Sequence, residues 1–154
     1  MANSKIVMGI DDLPMWQSID RQRLALQCCD ACATFRYPPA PLCPGCLSLE
    51  ATWTPVDGTG TILSWVVFHK KYFDDHLPPY NSVAVQLPEG PIVISQLQGP
   101  QPEGNWIGRE VVFVYAEHAG RMQHHVRLAG EAGLADSAVS HDGPGGDPVQ
   151  HNGA

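Results

Sequence analysis

A chain of 154 residues and 16.7 kDa has room for one globular domain of ordinary size plus a small appended module, and not for two full domains. With 9 Lys+Arg against 16 Asp+Glu, the net charge of -7 and the pI near 5.3 argue against a protein whose main task is gripping a nucleic-acid backbone. The hydrophobic fraction of 44% fits a soluble fold, and the longest apolar stretches fall far short of the roughly 18 to 20 residues of a membrane span, so no membrane partner is expected.

Residues 1–12 show no periodicity and read as a flexible lead. Their short apolar run is broken by Gly9 and followed by Asp11 and Asp12, unlike a secretory signal, so a cytoplasmic location is the expectation. Leu13, Trp16 and Ile19 then recur every third position, with Asp11 or Asp12 available as N-cap and Pro14 tolerated in a first turn, which predicts a short amphipathic helix. Leu24 and Leu26 alternate with polar neighbours as a lead-in strand, so 13–26 forms the N-terminal unit.

Five cysteines follow, and four of them crowd into eighteen residues as Cys29-x2-Cys32 and Cys43-x2-Cys46. In a reducing compartment such pairs point to a metal rather than to disulfides. Each pair can curl around one side of a tetrahedral ion, and the ten-residue loop between them lets the two knuckles face each other. Arg36-Tyr37-Pro38-Pro39 in that loop cannot be regular helix, because successive prolines block it. Pro44-Gly45 suits the tight turn of the second knuckle, Pro presetting one dihedral and Gly tolerating the next.

A redox Cys-x-x-Cys normally stands alone at a helix start, so the second copy disfavours a redox dithiol. Cys28 offers a rival register with Cys32, but only Cys29 produces two like knuckles, and Cys28 reads as a spare thiol. Residues 27–50 are therefore expected to be a ribbon holding zinc through Cys29, Cys32, Cys43 and Cys46. Iron would use the same ligands, although zinc is the commoner occupant. Four thiolates leave no open position, so the expected metal is structural.

Beyond Cys46 the texture changes to short runs separated by Gly and Pro, with candidate strands at 61–69, 82–87, 92–97, 110–115 and 124–128. Val83, Val85 and Leu87 alternate with Ser82, Ala84 and Gln86, as in a strand with one face buried, whereas 110–115 is apolar on both faces from Val111 onward. Asp57-Gly58-Thr59-Gly60, Pro88-Glu89-Gly90-Pro91, Gly99-Pro100, Gly104 and Gly108 supply the turns. About five short antiparallel strands match an oligonucleotide/oligosaccharide-binding (OB) barrel over 51–130 better than a sandwich; an SH3-like barrel is the nearest competitor. The remainder, 131–154, is too poor in large apolar groups to offset its ordering entropy and is expected to be a disordered tail. The fold class is thus mainly β, with an N-terminal short helix, a rubredoxin-like zinc ribbon and a C-terminal five-stranded OB-fold barrel.

The combination of Trp16 in a short helix, Leu26-Gln27 leading into Cys29-x2-Cys32, Tyr37-Pro38-Pro39, Leu42-Cys43-Pro44-x-Cys46, Trp53, Gly58-Thr59-Gly60-Thr61, Pro79-Tyr80 and Glu89-Gly90 resembles the acyl-CoA-associated zinc-ribbon plus OB-fold family, long catalogued as a domain of unknown function. The resemblance covers roughly residues 13–128. It implies an accessory, acyl-CoA-binding subunit that works beside a thiolase-fold enzyme, such as a thiolase, acyltransferase, acyl-CoA synthase or steroid side-chain retro-aldolase, with the larger subunit holding the catalytic residues. The chain departs from the pattern at Ala33, where many members have Gly, and at the more polar Asn81-Ser82.

With the resemblance in hand, the cationic and aromatic cluster His69, Lys70, Lys71 and Tyr72 becomes a candidate for meeting the phosphates or adenine of coenzyme A, with Arg36 a weaker one. No catalytic residue is assigned. Asp74, Asp75 and Glu89 read as solvated loop charges, and no nucleophile with a positioned base or glycine-rich phosphate loop can be assembled. His118, His124 and His125 do not read as a second metal site, because adjacent strand residues point to opposite faces. Trp16, Trp53 and Trp65 either leave aromatic surface for a partner or fill the junction of ribbon and barrel. The alternatives are a zinc-ribbon/OB-fold nucleic-acid-binding protein, which the acidic composition disfavours, and an independent enzyme.

Overall fold

The computed structural model describes residues 8–130, so the expected tail and most of the N-terminal lead lie outside the described residues. Helix α1 (Leu13–Asp20) starts at Asp12 with Pro14 in its first turn. The Asp12 side chain makes no capping bond to the backbone; its carboxylate accepts the Trp16 indole N–H at 3.3 Å instead. The buried face is Met15, Ser18 and Ile19, one position round from the predicted stripe, and Leu13 is exposed. Ser18 tolerates burial because its hydroxyl donates to the Met15 carbonyl (2.6 Å) and accepts the Ala25 N–H (2.9 Å).

Strand β1 (Ala25–Cys29) is the centre of a three-stranded antiparallel sheet, flanked by β2 (Phe35–Arg36) and β3 (Ala51–Pro55). The periodicity does not predict β3, yet it pairs with β1 along its whole length, from Ala25↔Pro55 to Cys29↔Ala51. Its apolar residues are sparse because Thr52 and Pro55 face solvent and only Trp53 reaches the core.

The remaining strands, β4 (Thr59–Phe68), β5 (Tyr80–Gln86), β6 (Ile92–Ser95), β7 (Glu110–His118) and β8 (Arg121–Leu128), form a five-stranded antiparallel sheet in the order β6-β5-β4-β7-β8. A register shift between Ile62 and Ser64 bends β4, so its first residues pair with β7 while most of its length pairs with β5. Before that bend, where β4 pairs with β7, Gly60 has no room for a side chain: a Cβ would lie 2.8 Å from the Gln86 carbonyl oxygen. Closure comes from a parallel bridge between Leu97 and Val126, with the Gln98 N–H donating to Val126 (2.8 Å) and the Val126 N–H to Gln96 (2.9 Å). This is the connectivity of a nearly closed OB barrel.

The alternation in β5 holds, with Val83, Val85 and Leu87 buried on one face. β7 and β8 run longer than predicted because they share a tight hairpin, Ala119 and Gly120 both adopting positive φ (52° and 77°). The polar departure at Asn81 proves structural. Its buried side chain donates to the Leu97 carbonyl (2.9 Å) and accepts the Leu97 N–H (2.7 Å), fixing the segment that closes the barrel.

One apolar core joins Met15, Ile19, Leu24 and Leu26 to the barrel interior, and Tyr115 on β7 accepts the Leu24 N–H at 2.7 Å. Trp106, from a loop that carries no strand pattern, is fully enclosed; it stacks on Trp65 at 4.5 Å and donates its indole N–H to Pro102. Trp16, Trp53 and Trp65 all pack, partly buried, against this core. Among the described residues, no helix is long and apolar enough to cross a membrane.

Candidate metal centre and aromatic cavity

The two knuckles are built alike. In the first, the Cys29 carbonyl accepts the Ala33 N–H (2.8 Å) and the Cys29 N–H donates to Thr34 (2.9 Å); in the second, Cys43 does the same with Leu47 and Ser48 (both 2.9 Å). Each turn closes on a left-handed residue, Ala33 at φ 59° and Leu47 at φ 62°. In the second knuckle the positive φ falls on Leu47, two residues after Gly45.

These turns bring the four sulfurs within 4.8 Å of one another, with Cys29–Cys46 and Cys32–Cys43 each at 3.5 Å. Tetrahedral zinc with sulfurs about 2.3 Å away spaces them about 3.8 Å apart, so the donor set fits the ion. Cys28 turns away toward the Ala33 carbonyl (3.6 Å) and takes no part. Burial tends to raise the Cys29 thiol, but the backbone amides of Cys32 and Ala31 and the neighbouring thiols carry it down to about 6. The Thr34 hydroxyl and amide likewise lower Cys32. The last proton is held hardest: the Ser48 amide pulls Cys46 down, yet sharing that proton with Cys32 and Cys29 pushes it up to about 12. A dication relieves this crowding of negative charge by replacing the protons.

A cavity of about 560 Å³ opens where helix, ribbon and barrel meet. Its walls are aromatic: Trp16 from α1, Tyr37 from the ribbon loop, Phe68 and Tyr80 from the ends of β4 and β5, and Tyr72 and Phe73 from the loop between them. Phe68 stacks on Tyr80 (4.9 Å) and meets the edge of Tyr72 (6.1 Å). The polar lining includes Ser95 and His124, whose Oγ and Nδ1 are 3.2 Å apart. Burial of the ring, helped by the neighbouring His125, pushes His124 down to about 4, so it is neutral at physiological pH.

The predicted cationic cluster reaches this cavity through Tyr72. Tyr72 lines it, Lys70 lies 5.8 Å from the centre of the Tyr72 ring, and Lys71 pairs with Asp74 at 3.1 Å in an exposed contact worth little by itself. His69 is exposed just beyond β4. Arg36 corrects the expectation: it is 2% exposed, and its guanidinium donates to the Ala40 and Glu50 carbonyls (2.9 and 3.1 Å), so it ties the ribbon together and is not presented to a phosphate. Asp75 is not the solvated charge expected. It sits between His76 and His118, a grouping invisible in the sequence because loop and strand end lie more than forty positions apart. The density of aromatics over 65–80 is the one sequence signal that could have located the cavity.

Comparison with known proteins bears on the fold and on the metal centre. Residues 16–50 match the model of the ChsH2 rubredoxin-like zinc ribbon domain, and residues 53–115 that of the ChsH2 C-terminal OB-fold domain. One chain of the solved Ltp2-ChsH2(DUF35) aldolase superposes with a TM-score of 0.75 at 30% identity, covering 81% of this chain and 99% of that one. The chain belongs to the ChsH2 (DUF35) family.

Two curated relatives of similar identity are matched over part of their own length. A probable enoyl-CoA hydratase alpha subunit of Thermomonospora curvata is 34% identical over 70% of this chain but only 34% of its own length. A DUF35 domain-containing scaffold protein of Pyrococcus furiosus is 33% identical over 51% of this chain and 58% of its own. The chain thus spans about a third and somewhat over half of these curated relatives. A DUF35-family structure from Sulfolobus solfataricus, 10% identical with a TM-score of 0.58, shares the fold. As a ChsH2-type ribbon, residues Cys29, Cys32, Cys43 and Cys46 are positioned to bind a structural zinc.

Proposed function

We propose that this chain is an accessory subunit that accommodates the acyl-CoA substrate of a larger, thiolase-fold enzyme, which supplies the nucleophile and base. The aromatic cavity at the meeting of helix, ribbon and barrel carries this reading. Its rings offer stacking and apolar contact to the adenine, pantetheine or acyl portion of a thioester, and Lys70, Lys71 and His69 beside Tyr72 offer positive charge to the phosphates. The names of the relatives, a hydratase subunit, a scaffold protein and an aldolase component, support a subunit over a free-standing enzyme. The partner reaction we favour is a thiolase, acyltransferase or retro-aldolase step on an acyl-CoA thioester, including steroid side-chain degradation. A cytoplasmic setting accords with thiolate-bound zinc.

Co-expression with a candidate thiolase-fold enzyme tests the proposal. The two should co-purify, and Lys70→Ala with Lys71→Ala should raise the partner's KM for acyl-CoA several-fold at unchanged kcat. Full partner activity without this chain would overturn it, and steeply salt-dependent binding of single-stranded nucleic acid without thioester binding would favour the nucleic-acid reading.

A further inference from the structure

The loop between β4 and β5 and the far end of β7 bring three donors together that share no sequence motif. Asp75 Oδ1 lies 3.4 Å from His76 Nδ1, and Asp75 Oδ2 lies 3.7 Å from His118 Nε2. One donor atom from each residue falls within 4.8 Å of the others. The 3.7 Å separation is too long for a hydrogen bond. His118 Nε2 is nevertheless shielded from solvent and has no hydrogen-bond partner, a costly state for a buried polar atom.

His76 Nδ1 and Asp75 Oδ1 are within hydrogen-bond reach of each other, so His118 Nε2 is the atom whose need an ion would meet. Nitrogen and oxygen donors about 2.1 Å from a metal stand about 3.0 Å apart in octahedral and about 3.4 Å apart in tetrahedral geometry. The 3.4 and 3.7 Å separations run to different Asp75 oxygens, and a set with one atom from each residue lies within 4.8 Å, so the loop would close on the ion by roughly an ångström. The rings are already oriented: His76 packs edge-on against Tyr80 (5.4 Å) and Phe73 (6.1 Å), and the His76 and His118 rings meet at 63° with centroids 4.6 Å apart. His118 is held as the last residue of β7, opposite Arg121 across the tight Ala119-Gly120 turn.

We propose that Asp75, His76 and His118 form a second metal site, for a borderline divalent ion such as Zn²⁺, at the edge of the aromatic cavity that His76 helps to line. Two imidazoles and one carboxylate are the donors such ions favour, and three protein ligands leave at least one position for water or an oxygen ligand. In this it differs from the closed four-thiolate centre. The site does not depend on the identity of any partner enzyme.

The full-length chain, loaded with excess Zn²⁺ and gel-filtered, should retain about two ions by mass spectrometry, and the His118→Ala and Asp75→Asn variants about one. Loaded with Co²⁺, the cysteine centre gives a near-ultraviolet thiolate charge-transfer band, and the second site adds visible absorption without thiolate character. His118→Ala should abolish only the latter, the intact charge-transfer band showing that the ribbon is still folded. Should that variant lose both signals by unfolding, His76→Gln, a change in the loop, is expected to retain the cysteine signal alone. One metal per wild-type chain, or two in each of the variants, would overturn the proposal.

Discussion

Ala33 occupies the left-handed position that closes the first knuckle, at φ 59°, where a Cβ crowds the backbone by about 1 to 2 kcal/mol. The resemblance flagged Ala33 only as a departure from Gly; the backbone angle supplies the reason for that preference. Ala33→Gly should relieve the strain, and after the larger unfolded-state entropy of Gly is subtracted the net gain is about 0.5 to 1 kcal/mol, read from urea denaturation of the zinc-loaded chain. His124 works in the opposite direction. Its folded value of about 4 lies below the ordinary 6.5, so the unfolded chain binds the extra proton first as the pH falls. This contribution is complete above about pH 6.5, shrinks through the interval down to about 4 and is lost below it, a difference of about 3 kcal/mol. Denaturation at pH 7 and pH 4.5 should show a smaller difference for His124→Gln than for wild type; equal slopes would remove His124 from the account.

Among the elements, the ribbon and the barrel draw their stability from different sources. The segment 30–49 contributes Cys43 and Arg36 as its fully buried side chains, and Leu42, Leu47 and Leu49 are exposed, so metal coordination must replace a core there. Cys43→Ser should therefore release zinc and deprotect the amides of 30–49 in hydrogen exchange. α1 and the start of β1 should stay protected, because Met15, Ile19, Leu24 and Leu26 belong to the same core as Val85, Val111 and Val126. Collapse of the barrel amides would show that the ribbon is integral to the barrel's stability. The strands divide the same way in their legibility. β5 could be read from its alternation, and β6, β7 and β8 from apolar runs between turn residues. β3 could not, because its pairing with β1, not its own pattern, makes it a strand.

Across the whole molecule, the metal centre was readable from spacing alone, because a Cys-x-x-Cys turn is local and two like turns can face each other only around a common ion. The mainly β character and the barrel were readable for a similar reason: short apolar runs between turn residues have few other ways to bury a face. What depended on the fold was everything assembled from distant segments. Arg36 became a buried brace, although it had looked available to a phosphate. Asn81, which looked like a polar intrusion, became the clamp that closes the barrel. The aromatic cavity gathers side chains from helix, ribbon and barrel, and the Asp75, His76 and His118 cluster joins a loop to a strand end. Such groupings leave no periodic trace in a linear sequence, since the curvature of β4, the register of β7 with β8 and a shared core set the distances between their parts.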